Sequence, residues 1–127
     1  MKIYFLQLFI AFGIVSSSFA QLKEANDLFD NFEYREAIKY FEIVENLDEE
    51  NRLKLAFCYF RIHDFKNAQF QFSNVISSEG ISPINYHFYG ICLKNIGRFD
   101  EARIWFLRYQ KLDSLDFFNN LSWFLFR

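Results

Sequence analysis

Residues Glu33–Phe41 read EYREAIKYF, and the same succession of aromatic, small and aromatic residues returns as DFKNAQFQF at 64–72 and RFDEARIWF at 98–106. The copies align on Ala37, Ala68 and Ala102. An aromatic stands three residues before each alanine (Tyr34, Phe65, Phe99), and a phenylalanine stands four after it (Phe41, Phe72, Phe106). Val44, Val75 and Tyr109 follow at seven. Spacings of three, four and seven put these side chains on one face of a helix, and the alanine lets a second helix come close.

The pattern continues upstream. Leu28, Tyr59 and Leu93 lie nine residues before the alanines, and Ala25, Ala56 and Gly90 lie twelve before. Each copy therefore predicts two helices, a hairpin whose packing points are Ala37, Ala68, Ala102, Ala56 and Gly90. This resembles the tetratricopeptide repeat, a helix-turn-helix of about 34 residues. The resemblance implies an all-α, right-handed superhelix of about three hairpins plus a C-terminal helix. Its units fall at about 21–46, 48–78 and 82–112, and an apolar helix occupies 113–127. The step from Ala68 to Ala102 is 34 residues and that from Ala37 to Ala68 is 31. The shortening lies between Val44 and Leu55, which predicts a trimmed hairpin tip there. The units lack the tryptophan near the start, and Glu49, Gly80 and Ser114 stand where the repeat usually has proline.

With 127 residues, 52% of them hydrophobic and 22% aromatic, the chain has enough apolar surface for one packed domain. Nineteen phenylalanines and one proline suit stacked helices better than a turn-rich sheet. A net charge of −2 and the lack of a basic cluster among the aromatics give no support to nucleic acid binding.

Residues 1–20 have another character. Lys2 gives a basic start, Ile3–Val15 is nearly all apolar, and Ser16–Ala20 ends in small residues at Ser18 and Ala20. That layout reads as a secretory signal peptide cut before Gln21, which predicts a periplasmic or secreted protein. An uncleaved anchor is the alternative, although a spanning helix needs about 20 apolar residues.

Further on, the signals predict helices over Leu22–Asn31, Tyr34–Glu45, Glu49–Ile62, Phe65–Ser77, a stretch ending at Ile96, and Asp100–Leu112. Asp48 is placed to cap the third. Ser82 as cap with Pro83 at the first helical position starts the fifth, and Gly97 stops it. Phe32 occupies a turn position where the repeat usually has glycine. Ser114 can cap a seventh helix, whose Phe117, Leu121, Trp123 and Phe124 leave only a narrow polar face. A following repeat, a second copy or a separate partner would cover it, or it folds back on the third hairpin.

No catalytic chemistry stands out. His63 and His87 have no partners at zinc spacing, and the phosphate-binding and nucleophile-elbow motifs are missing, so neither metal, cofactor nor small-molecule substrate is expected. Cys58 and Cys92 hold the same place in neighbouring units. Packed helices lie about 8–10 Å apart, while bridged cysteines need Cα atoms within about 7 Å. Two separate buried thiols are favoured over a bridge.

What remains is a surface for another protein or peptide. The repeat's groove positions, carried onto this chain, are Asn26, Phe29 and Asp30 in unit one and Leu53, Phe57, Phe60 and Arg61 in unit two. Unit three contributes Ile84, His87, Ile91, Lys94 and Asn95. An extended or helical peptide suits this apolar floor, with Arg61 and Lys94 as positive contacts; the alternative is a plain solvated face. The carboxylate clamp of chaperone-binding relatives is not expected, because Leu22 stands where its lysine would be. The run PINYHFYGICLKNIGRFDEARIWFLRYQKLD (83–113), with DNFEYREAIKYF (30–41), also resembles the N-terminal repeat segment of Bacteroidetes envelope proteins that continue into an OmpA-like peptidoglycan-binding domain. That resemblance implies an envelope adaptor, or the front part of a larger envelope protein with an idle groove.

Overall fold

The computed structural model describes residues 2–125, the side chains at 2, 9, 11, 12, 14–16 and 116–125 apart. Its elements are six helices: α1 (Lys2–Asp30), α2 (Tyr34–Ile43), α3 (Glu49–Arg61), α4 (Phe65–Ser73), α5 (Ile84–Asn95) and α6 (Phe99–Leu125). They pair as α1 with α2, α3 with α4 and α5 with α6; α2 packs on α3 and α4 packs on α5 to join neighbouring pairs, with a smaller contact between α3 and α5. The protein is all-α, a tetratricopeptide-like array of three helical hairpins.

The small residues decide where these helices meet. Ala25, Ala37, Ala56 and Ala68 are fully buried, and Ala102 is nearly so. At Gly90 even a methyl group would not fit, since a Cβ would lie 2.6 Å from a ring carbon of Phe106. Close approach then buries the phenylalanines one turn later: Phe41 and Phe72 have no exposed surface. Phe106, in the third hairpin, is only half-buried.

Each hairpin turns in the same way. Phe32, His63 and Gly97 stand five residues before the three pivots and have φ of 63°, 62° and 85°. Their amides bond to the carbonyls of Phe29, Phe60 and Lys94 at 3.0–3.1 Å. The next amides, of Glu33, Asp64 and Arg98, reach back to Leu28, Tyr59 and Leu93 at 2.9 Å. This is the Schellman closure, which satisfies the last carbonyls of the first helix. Glycine adopts it without strain, and Phe32 and His63 adopt it at some cost in backbone energy.

Several expectations are corrected by local geometry. The shortening between the first two pivots falls in the connection between hairpins, Val44–Asp48, and not at a hairpin tip; the matching connection, 74–83, is longer. Asp48 does cap α3, its carboxylate accepting from Asn51 N at 2.9 Å. Ser82 does not cap α5 through its side chain. Its carbonyl instead accepts from the Asn85 amide at 3.0 Å and from Asn85 Nδ2 at 3.1 Å, while Pro83 already has helical dihedrals. The C-terminal helix is present as an unbroken continuation of α6. Ser114 does not open a new element, because its hydroxyl donates to the Gln110 carbonyl at 2.8 Å one turn back. The side chains of Phe117, Leu121, Trp123 and Phe124 lie outside the described residues. Likewise α1 begins at Lys2 and runs unbroken past Gln21 to Asp30, so the first hairpin and the apolar segment share one helix.

Candidate protein-binding groove

The first helices of the three hairpins, α1, α3 and α5, line one face, and a row of rings crosses it. Phe29 of α1 meets Phe57 of α3 with centroids 6.0 Å apart. Phe57 lies 5.4 Å from Phe88 of α5, and Phe60 lies 5.0 Å from the same ring. All four are half-buried: each packs on its neighbours and keeps an open side. Edge-on and tilted arrangements suit the ring quadrupoles, so the row is a rigid apolar floor.

Beside this row the floor opens into a shallow depression of about 320 Å³, lined by Phe29 of α1, Glu50, Leu53, Lys54 and Phe57 of α3, and Asn85 of α5. Lys54 spans its rim. Its ammonium lies 5.6 Å over the Phe29 ring, donates to Asn26 Oδ1 at 2.6 Å and sits 3.4 Å from Glu50. Asn26 Nδ2 in turn donates to Asn51 Oδ1 at 3.0 Å, and Asn51 is held by Asp48. Four polar residues thus tie α1 to α3 beside the apolar floor.

The predicted groove residues divide accordingly. Phe29, Leu53 and Phe57 come together around the depression, and Phe60 continues their floor. Asn26 is drawn into the network between α1 and α3, a structural role in place of a free contact. The Arg61 guanidinium lies 5.5 Å over the Tyr34 ring of the preceding hairpin. His87 turns toward its own hairpin partner, with Phe106 and Tyr109 at 5.6 and 5.1 Å. Ile91 is half-buried; Asp30, Ile84, Lys94 and Asn95 are exposed, and Asn95 Nδ2 donates to the Ile91 carbonyl at 2.8 Å. Lys54 and Phe88 were missed. Both stand fourteen residues before their pivots, one residue past the carried-over positions Leu53 and His87.

Elsewhere the buried polar chemistry is structural. The hydroxyl of Tyr59 donates to Glu42 across the first and second hairpins, and burial first, then that bond, pushes the phenol well above its ordinary range. Cys58 and Cys92 are buried and unbridged, and burial pushes both thiols up to about 12. Among the described residues no group of three or more His, Cys, Asp or Glu is placed to hold a metal ion.

Hairpins stacked on small pivots, with first helices forming a shared face, define a tetratricopeptide-like helical-repeat fold. The fold is similar to that of the Yersinia enterocolitica type III secretion translocator chaperone SycD. The TM-score is 0.57 at 19% sequence identity, over 77% of this chain and 75% of that one. At that identity the likeness is one of fold. No protein-family model matches the chain, and no curated protein does.

Proposed function

We propose that the chain is a non-catalytic scaffold of the cell envelope that binds a polypeptide across the face of α1, α3 and α5. The observation that carries this reading is the ring row Phe29–Phe57–Phe88 with its depression at Leu53, an apolar floor beside the Lys54 and Arg61 cations. An extended or helical segment would place an apolar side chain over Leu53 and Phe57 and its polar groups along Lys54 and Glu50. The likeness in fold to a translocator chaperone supports a protein ligand. The leader-like segment 1–20 supports export to a periplasm or beyond, and the resemblance of 30–41 and 83–113 to Bacteroidetes repeat segments supports the envelope as the setting.

A second reading, a bracing element or front part of a larger envelope protein with an idle groove, draws on the ring-to-ring contacts, which satisfy part of the floor internally. A photo-crosslinking residue at Leu53, compared with one at the exposed Phe70 of α4, separates the two in cells. A discrete adduct from position 53 and none from position 70 supports the groove. Equal patterns from both positions favour the idle groove.

A further inference from the structure

The floor of the groove is built mainly from rings. Beyond Phe29, Phe57 and Phe88 it takes in Phe60, which stacks on Phe57 with centroids 6.1 Å apart, and Tyr34 at the start of α2. The Tyr34 ring stands edge-on to both Phe29 and Phe57 at 5.8 Å. These five half-buried rings form one connected patch, and none belongs to the leader-like segment 1–20.

Such a patch suits one kind of chain better than others. The main-chain groups of α1, α3 and α5 are bonded within their own helices, so an incoming segment finds no backbone ladder there. On the α1 side of the depression the amide oxygens of Asn26 and Asn51 already accept from Lys54 and Asn26. A β-strand laid over the rings would therefore leave N–H groups unpaired against an apolar surface. Proline has no N–H to leave unpaired, and proline-rich segments dock on aromatic-lined surfaces in a conformation they already hold when free. A helical ligand instead sets side chains at i, i+4 and i+7 into an apolar groove, whereas this surface is a platform of tilted rings beside a shallow depression. The spacing also fits. The ring steps Phe29–Phe57 and Phe57–Phe88, 6.0 and 5.4 Å, together span about one three-residue turn of polyproline II, roughly 9 Å. At the edge of the patch the Arg61 guanidinium, over the Tyr34 ring, is a donor for the carbonyls that this conformation leaves unpaired.

We infer that the occupant of the groove is a proline-rich segment in the polyproline II conformation, laid across Phe29, Phe57 and Phe88 with a proline against Leu53. This rests on the groove being a binding surface and names the chemistry of what it binds.

The test titrates the full chain into fluorescein-labelled decaproline and, separately, into an equally long labelled amphipathic helical peptide of alanine, leucine and lysine, reading anisotropy. A saturable rise with decaproline is expected, about tenfold weaker in Phe57→Leu and unchanged in Phe70→Leu, with unfolding midpoints recorded for each protein. Phe57→Leu keeps an apolar side chain and removes the ring; Phe88→Leu takes its place if helicity falls. Tighter binding of the helical peptide than of decaproline overturns the inference and leaves the groove standing. Decaproline binding that is equal in wild type and the folded ring variant overturns it too, because the peptide then sits off the ring row. Binding of neither peptide also overturns it, and the crosslink from position 53 then reports separately whether the groove holds a partner.

Discussion

The rings of Phe60 and Phe88 lie 5.0 Å apart and join the second hairpin to the third across the open face of the array. The same residues are structural on one side and exposed on the other, so they link the stability of the array to its binding surface. In a double-mutant cycle with Phe60→Ala and Phe88→Ala, urea unfolding is expected to give a coupling of about 0.5–1.5 kcal/mol. Strict additivity would mean that the rings do not interact.

The sequence displays this architecture unevenly, for physical reasons. Pivot alanines and the residues at fixed offsets from them are legible because close helix packing admits few substitutes, as Gly90 under Phe106 illustrates. The tip at Phe32 was less legible, because the Schellman closure is made by backbone amides and an aromatic can occupy it. Phe88 was missed for a related reason: its equivalent in unit two is Lys54, so the face mixes ring and cation at one repeat position. The continuity of α6 through Ser114 was hidden by a residue that serves equally well as a cap or, as here, as a donor to its own helix.

Ala68 has no exposed surface at the centre of the array. Ala68→Leu would push α3 and α4 apart and is expected to lower stability by about 1–3 kcal/mol. Chemical denaturation should show a lower midpoint at an unchanged slope, and an unchanged midpoint would contradict the packing described.

Asp48 caps α3 and also holds Asn51, which accepts from Asn26 of α1. Asp48→Ala should cost about 1 kcal/mol for the cap. Amide exchange should rise at the start of α3 and at the end of α1 together. A change confined to α3 would show that the network does not couple the two helices.

The buried thiols give the protein an alkaline limit. An unfolded thiol ionises near its ordinary value of 9.0, while Cys58 and Cys92 stay neutral up to about 12. Both states are protonated below the lower value, so stability there is unaffected; between the two values only the unfolded state loses protons, and stability falls as pH rises. The decline is about 1.4 kcal/mol per pH unit for each thiol. Unfolding across this window in wild type and in the Cys58→Ala, Cys92→Ala double variant isolates the effect, because the slope difference belongs to the thiols alone. Equal slopes would contradict it.

Leu53 stands at the centre of the proposed binding surface, in the depression between Phe29 and Phe57. The most direct measurement compares wild type with Leu53→Glu: recovery of the position-specific partner by affinity capture, with circular dichroism and unfolding midpoint recorded on the same samples. A protein-binding groove predicts that the partner is lost while helicity is kept. Undiminished capture by a folded Leu53→Glu protein would show that the partner binds elsewhere and that the aromatic row only holds the array together.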